Sequence, residues 1–280
     1  MNRIICAGRH AVVTFFAALL LTSCYSPGVD TGGQSLDNAL AAAAVGNHRS
    51  EKNIARNQYR HPVDTLVFFD LRAGQSVLEI TPGGMWYTEI LGPALKDSAR
   101  LTVAGYDADI EGQPKYRYQL QNKMEQVLKE QTGLYGNVGI VKFSPPDTIE
   151  LGSDGSYDRI VTFRNTHNWV RHGQADQVFA AFAAALKPGG KLGIVQHRAA
   201  DKQSENPMLG YVSEETVIAL AEQAGLKLLA RSEINANPAD TRDHPNGVWT
   251  LPPILRLGEQ DRDKYLAIGE SDRMTLLFVK

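Results

Sequence analysis

The stretch of the sequence richest in reactive side chains runs from Arg164 to His172 and reads RNTHNWVRH. Asn165 and His167 are candidate catalytic residues, because an amide can bind a polar group and an imidazole of near-neutral pKa can act as a general base. Asn168 and Trp169 add an amide and an aromatic surface, which makes them candidates for substrate binding. Alternatively, the whole stretch is a hydrogen-bonded loop that caps the next helix.

A metal site is the other chemistry that these histidines suggest. His167 and His172 lie close together, and His197, at the end of a later strand, would supply a third ligand. No carboxylate or cysteine accompanies them at a spacing known for metal ligands. We therefore predict that the protein has no metal cofactor.

A second candidate site is the segment EITPGGMW, which begins at Glu79 and follows directly on a short apolar run. Pro82, Gly83 and Gly84 form a turn in which glycine lets the backbone approach a ligand closely, and the following helix offers unpaired N–H groups. The spacing differs from the G-x-G-x-x-G pattern of dinucleotide sites. The turn alone is therefore weak evidence for a cofactor.

Both candidate sites depend on an alternation of strands and helices that begins at residue 76. Such an alternation predicts a parallel sheet with helices on both faces, and ligands then bind beyond the carboxyl ends of the strands. We predict an α/β fold with a seven-stranded, doubly wound, mostly parallel sheet. Its parts are N-terminal helices over 36–75, the core sheet over 76–234, an inserted region over 235–270 and the last strand over 271–280.

The order of these elements, together with the turn Leu186-Lys187-Pro188-Gly189-Gly190 before the fifth strand, resembles the class I S-adenosylmethionine-dependent methyltransferases. The resemblance runs from about Val77 to Lys280. Residues 78–92 and the stretch from Arg164 to Trp169 resemble a subgroup of methyltransferase-like proteins that bacteria export as lipoproteins.

This resemblance implies S-adenosyl-L-methionine as the cofactor. By position, its methionine and ribose parts would face Glu79, Pro82, Gly83 and Gly84. Asp107, after the second strand, would accept hydrogen bonds from the ribose hydroxyls, and Asp109 is close enough to compete for that role. The family's usual motif is acidic-x-Gly-x-Gly-x-Gly, whereas here Pro82 and Met85 stand near expected glycines.

The segment from Asn235 to Gly258 interrupts the expected final pair of strands and contains four prolines. His244 and Trp249 lie within it and are further candidates for substrate binding. A proline-stiffened insertion on this side of the sheet suggests a lid or an acceptor-binding loop. The alternative is a surface loop with no part in binding.

The first residues suggest export. Arg3 and Arg9 precede an apolar run over 11–21 that is too short to span a bilayer, and Leu-Thr-Ser-Cys24 resembles the lipobox of bacterial lipoproteins. We predict a signal peptide over 1–23, a lipidated Cys24 and a linker over 24–35. The protein would then be anchored in the cell envelope by its acyl chains. A plain secretory signal with an incidental cysteine is the alternative.

Composition narrows the choice of partners. The chain has 29 basic and 31 acidic residues, so no basic surplus favours nucleic acid, and we predict no contact with a membrane apart from the lipid anchor. The predicted function is methyl transfer to a small or lipidic acceptor in the bacterial envelope. A non-catalytic ligand-binding lipoprotein on the same fold is the alternative, whereas the glycine spacing and terminal strand disfavour a nicotinamide oxidoreductase.

Overall fold

The strands of the central sheet form at the short apolar runs of the sequence. The computed structural model describes Met1 and residues 31–280, and the predicted signal peptide and Cys24 lie outside the described residues. The strands are β1 (Ser76–Ile80), β2 (Arg100–Gly105), β3 (Gly139–Ser144), β4 (Thr148–Ile149), β5 (Tyr157–Phe163), β6 (Leu186–His197), β7 (Lys227–Ser232) and β8 (Arg273–Val279).

These strands form one sheet in the order β4-β3-β2-β1-β5-β6-β8-β7 within the described residues. The five strands from β3 to β6 in this order are parallel, β8 is antiparallel to both β6 and β7, and β4 is antiparallel to β3. The seven predicted strands are confirmed. β4 adds an eighth that sequence periodicity could not reveal, because it has only two residues.

Helices precede the sheet and connect its strands. They are α1 (Thr31–Ala44), α2 (Glu51–Ile54), α3 (Asn57–Arg60), α4 (Pro62–Phe68), α5 (Thr88–Leu95), α6 (Lys115–Glu130), α7 (Thr132–Tyr135), α8 (Thr166–Arg171), α9 (Ala175–Ala185), α10 (Glu214–Gln223) and α11 (Arg262–Ile268). Short 3₁₀ helices span Pro207–Leu209 and Gly247–Thr250. No helix in the described part of the chain is long and apolar enough to cross a membrane.

Two hydrophobic clusters cover the two faces of the sheet. Neighbouring residues of β1 belong to different clusters, Val77 to the one that includes α1 and α5 and Leu78 to the one that includes α9 and α10. This division follows from the alternation of side chains along a strand. Every residue of β1 is buried, as expected for a strand covered by helices on both faces.

The N-terminal helices differ in their bounds from the prediction. α1 begins at Thr31, within the predicted linker. Leu36 and Leu40 are buried in the core, and such tertiary packing stabilises helical residues that helix propensity alone would not. The polar segment after α1 forms two short helices, α2 and α3. Ser50 caps α2 by accepting a hydrogen bond from the Asn53 N–H at 3.2 Å.

Candidate functional site

A cavity of about 530 Å³ opens at the carboxyl ends of β1, β2, β5 and β6. The chain crosses from one half of the sheet to the other between β3 and β5, so the cavity lies at the switch point where sheets of this kind bind ligands. The residues that line it include Arg56, Arg60, Glu79, Thr81, Pro82, Gly83, Gly84, Tyr106, Tyr116, Arg164, Asn165, His167, Asn168, His197 and Trp249.

The turn after β1 has an unusual backbone. Thr81, Gly83 and Met85 all have positive φ angles, of 48°, 56° and 66°. Glycine adopts this conformation freely, whereas a β-branched residue such as Thr81 is an outlier there and costs about 1–3 kcal/mol. The turn therefore has a glycine-like conformation at Met85 although glycine is missing. Strain of this kind persists where the surrounding structure fixes it, and it is concentrated at functional sites.

Asn165 is one of the residues that fix the turn. Its Nδ2 donates to the Ile80 carbonyl at 3.1 Å, to the Thr81 carbonyl at 3.4 Å and to the Thr162 hydroxyl at 3.2 Å. These bonds join the end of β5 to the end of β1, directly below the turn. Asn165 lines the cavity as predicted, but its amide nitrogen is used to position the backbone.

Gly83 and Gly84 present open space to the cavity. A Cβ atom built on either residue meets no other atom within 4 Å. Among the described residues, the backbone N–H groups of both glycines have no hydrogen-bond partner. The turn therefore offers two free donors on a surface that a ligand can approach closely.

Glu79 is buried at the base of this turn. Its carboxyl group is 1% exposed and accepts a hydrogen bond from the Thr88 hydroxyl at 2.7 Å. Burial raises the pKa of Glu79 to about 8, because a charged carboxylate loses its hydration there, while the bond from Thr88 acts in the opposite direction. The group therefore holds a proton near neutral pH.

We expect Glu79→Gln to stabilise the protein increasingly as the pH rises. The pKa of this carboxyl is about 8 when folded against 4.5 as its ordinary value, so between these limits the folded state retains a proton that the unfolded state has lost. Stability of the wild type then falls across this window, whereas glutamine has nothing to titrate. Urea unfolding should show a gain for the variant at pH 8.5 that exceeds its gain at pH 5 by more than about 1 kcal/mol.

The exposed Glu222 on α10 supplies the control, because Glu222→Gln should show no such trend. A stability difference for Glu79→Gln that stays constant between pH 5 and 8.5 would contradict a raised pKa.

His167 and His197 form a neutral pair on the opposite wall, with ring centroids 5.7 Å apart. Burial lowers the pKa of His167 to about 4 and holds the pKa of His197 well below its usual value. The Gln196 Nε2 donates to the Gly210 carbonyl at 2.9 Å and the His197 carbonyl at 3.3 Å, so its Oε1 is left to accept from His167 Nδ1 at 3.4 Å. This assigns the free lone pair of His167 to Nε2.

Comparison with known proteins identifies the fold. No protein-family model matches the chain, and no curated protein matches its sequence. A solved methyltransferase from Aquifex aeolicus that depends on S-adenosylmethionine aligns over 80% of this chain and 92% of its own, with a TM-score of 0.53 and 17% identity. The [4+2]-cyclase SpnF aligns over 89% of this chain and 94% of its own, with a TM-score of 0.55 and 14% identity.

The chain has the class I methyltransferase fold. The predicted fold class is thereby confirmed. At these levels of identity the comparison establishes the fold and leaves the reaction to be argued from the site.

Asp107 was predicted to bind the ribose from the resemblance in sequence, but it is not among the residues that line the cavity. It accepts hydrogen bonds from the Thr148 hydroxyl at 2.7 Å and from the Asp109 N–H at 3.1 Å, and it pairs with Lys142 at 3.1 Å. The hydrogen bond from Thr148 is the main cause that lowers its pKa. Asp109 is mostly exposed and also pairs with Lys142. In this structure Asp107 connects the loop between β2 and α6 to Thr148 and Lys142.

Two predicted substrate-binding residues lie elsewhere. Trp169 is buried in the core, where its ring makes edge contacts with Phe143 and Phe182 at centroid distances of 5.9 and 5.5 Å. His244 is also buried and pairs with Asp240 at 2.9 Å, which fixes it within the insertion. Neither side chain lines this cavity.

The remaining predicted residues do meet at the cavity. Asn168 lies on its wall, and Trp249 of the insertion contacts His167 with the ring centroids 5.9 Å apart. The insertion thus brings one aromatic side chain to the predicted site. His172 points to Arg171 and is separate from this group, and no cluster of three or more His, Cys, Asp or Glu in the described residues is arranged to bind a metal.

Several cavity residues were not predicted from the sequence. Arg56 and Arg60 come from the N-terminal helices, and Arg164 has a positive φ of 64° at the end of β5. The spacing of Arg56 and Arg60, four residues apart in a polar helical segment, was the available signal that both lie on one face. Tyr106 and Tyr116 complete the wall near β2.

Proposed function

We propose that the protein transfers a methyl group from S-adenosylmethionine to a small acceptor. The observation that carries this proposal is the cavity at the switch point, in which the turn with Gly83 and Gly84 faces His167. The methyltransferase fold is consistent with this function, and the cavity is the site at which we expect the reaction. Its volume of about 530 Å³ lies within the range of small-molecule sites, which is roughly 300–1,000 Å³.

The residues around the glycine turn fit this cofactor, whereas the expected ribose-binding residue departs from the family pattern. Gly83 and Gly84 leave open space and free N–H donors, and the buried Glu79 lies beneath them. Tyr106 and Tyr116 supply aromatic surface beside the end of β2, with their rings edge to face at 6.3 Å. The fold's usual acidic ribose partner is engaged by Thr148 instead. We therefore assign cofactor binding to the glycine turn and these tyrosines.

The cofactor would supply an electrophilic methyl group, and the chain would supply position and a proton acceptor. His167 is neutral across physiological pH because burial lowers its pKa to about 4. Its Nε2 lone pair is thus available to accept a hydrogen bond or a proton from the acceptor. Trp249 lies against the same ring and shields it from water on the side of the insertion.

Non-catalytic ligand binding on the same fold is the second candidate. The fold by itself supports different chemistry, since the similar SpnF is described as a cyclase. Calorimetric titration of the purified protein with S-adenosylhomocysteine separates the two. Binding with micromolar affinity supports the methyltransferase, whereas absence of binding at millimolar ligand would overturn it.

We further propose that the protein is a lipoprotein of the cell envelope, anchored through Cys24. The lipobox-like sequence before Cys24 supports this proposal. Cys24→Ala should prevent acylation, so the variant should leave the membrane fraction or accumulate as precursor, with a mass that lacks the acyl chains. Cys6→Ala, within the predicted signal peptide, is the matched control and should leave the mature protein unchanged. Unaltered mass and membrane association of Cys24→Ala would refute the anchor.

A further inference from the structure

The arginines at the wall of the cavity carry more positive charge than the nearby carboxylate neutralises. Arg56, Arg60 and Arg273 all contact the carboxylate of Glu270, at 2.6, 3.1 and 2.8 Å. Arg164 lies close enough to lower the pKa of Arg60, and it forms no ion pair with any described carboxylate. Three guanidinium groups therefore share one carboxylate, and the guanidinium of Arg164 lies near them without a carboxylate partner among the described residues.

Several nitrogen atoms of this cluster have no hydrogen-bond partner. They are Nη2 of Arg56, Nη1 and Nη2 of Arg60, and Nε of Arg164. Arg60 is only 1% exposed and its guanidinium stacks over the Trp86 ring at 4.6 Å, and both Arg60 and Arg164 line the cavity. Buried charged nitrogen atoms that lack a hydrogen-bond partner destabilise the folded protein. These donors are arranged for an acceptor that comes from outside the chain.

The other ionisable groups at the cavity do not balance this charge. His167 and His197 are neutral, because burial lowers the pKa of both. Glu79 holds a proton near neutral pH, since burial raises its pKa to about 8. The cavity thus retains an excess of positive charge at physiological pH.

The proposed cofactor does not remove the excess. S-adenosylmethionine has a sulfonium, an ammonium and a carboxylate, so it adds net positive charge to a site that is already positive. Its carboxylate offsets one of the surplus positive charges, while its sulfonium and ammonium add two. Like charges in a low-dielectric cavity repel strongly. The cofactor and the arginine cluster can share this cavity at low cost only if a further anion binds with them.

We propose that the methyl acceptor carries an oxyanion, a carboxylate or a phosphate, which Arg56, Arg60 and Arg164 bind in this cavity. The inference rests on the proposed function and names the substrate class for it. Guanidinium groups bind both oxyanions through paired N–H donors, which gives strong and directional recognition. The histidine pair lies beside the cluster, so an acceptor held by these arginines lies next to His167.

The test measures anion binding to the full protein and to Arg164→Met. Arg164 has no ion pair to lose, so this variant should fold, and Arg231→Met is the control, because Arg231 is more than half exposed and does not line the cavity. Phosphate and acetate are titrated separately at constant ionic strength, with S-adenosylhomocysteine present, and followed by calorimetry and thermal melting. We expect one of them to bind the wild type and Arg231→Met alike, and Arg164→Met at least ten-fold more weakly. The better probe identifies the oxyanion.

Equal anion binding by Arg164→Met and the wild type, or no binding of either anion, would overturn the proposal. A second pair of ligands tests whether the arginines bind the carboxylate of the cofactor itself. S-adenosylhomocysteine has this carboxylate and 5′-methylthioadenosine lacks it. If Arg164→Met weakens S-adenosylhomocysteine but leaves 5′-methylthioadenosine unaffected, the arginines hold the cofactor and the proposal fails. If S-adenosylhomocysteine does not bind at all while the anion still binds through Arg164, the proposed methyl transfer fails and the anion site remains.

Discussion

Gly84→Val should abolish binding of S-adenosylhomocysteine while the protein keeps its fold. A Cβ atom on residue 84 would meet no other atom within 4 Å, and the isopropyl group of valine would occupy the surface that a ligand approaches. Gly84 has no positive φ, so valine there avoids the strain of the left-handed conformation. We expect affinity to fall roughly 100-fold or more, which corresponds to about 2.7 kcal/mol. Calorimetry measures the affinity, and far-UV circular dichroism checks the fold.

Gly133 on α7 is the matched control for this variant. It is exposed, it also lacks a positive φ, and its Cβ would meet nothing within 4 Å, but it does not line the cavity. Gly133→Val should bind the ligand as the wild type does. If Gly84→Val binds normally too, the ligand does not lie on this turn.

Gly83→Val adds backbone strain to the same steric effect, because Gly83 has a φ of 56°. Gly155, with a φ of 66° and equally open surroundings, provides the matching control for that strain. Loss of affinity in Gly83→Val beyond any change in Gly155→Val is therefore attributable to the cavity.

Glu270→Gln should lower the free energy of unfolding by about 3–5 kcal/mol, as expected when one partner of a buried ion pair is removed. The carboxylate is 4% exposed and is the direct ion-pair partner of Arg56, Arg60 and Arg273. Although burial alone would raise it, the three guanidinium groups hold the pKa of Glu270 at about 2. A neutral amide would leave these guanidinium groups buried without a counter-charge.

The same pKa gives this contribution a pH dependence. With a folded pKa of about 2 and an ordinary value of 4.5, the stabilisation is fully present above about pH 4.5 and is lost as the pH falls towards 2. Wild type and Glu270→Gln should therefore converge in stability at acid pH. Urea unfolding at pH 7 and at pH 3 measures this difference.

Glu259 supplies the control, because it is 90% exposed and pairs with Arg262 at 3.8 Å. Glu259→Gln removes a surface ion pair, which contributes at most about 1 kcal/mol. Equal stability of the two variants at pH 7 would show that Glu270 is not the counter-ion of the arginine cluster.

The arginine cluster shows why part of the site could not be predicted from the sequence. Arg56 and Arg273 are brought to one carboxylate although most of the chain separates them. Nothing in the local sequence of α3 or β8 reports this contact, because it depends on how the N-terminal helices pack against the sheet. A basic residue in a polar helix has the same local pattern whether it faces solvent or a cavity.

Local sequence determined the strands, the helix caps and the position of the cavity. Short apolar runs that alternate with helices form a parallel sheet covered by helices. The carboxyl ends of parallel strands lie at one edge of the sheet, which brings Glu79, His167 and the glycine turn together. Ser213 shows the same local control, since its hydroxyl accepts a hydrogen bond from the Thr216 N–H at 3.2 Å and caps the start of α10.

Only the tertiary structure decided where individual side chains point. Asp107 turns to Thr148 and Lys142, Trp169 turns into the core, and Thr81 is held at a positive φ by contacts from other strands. Each of these conformations depends on contacts with residues that are distant in the sequence. The free energy of those contacts outweighs the small conformational preferences of the local backbone. Sequence periodicity specifies which element a residue belongs to, whereas the direction of its side chain at the end of a strand is set by the neighbours that the fold supplies.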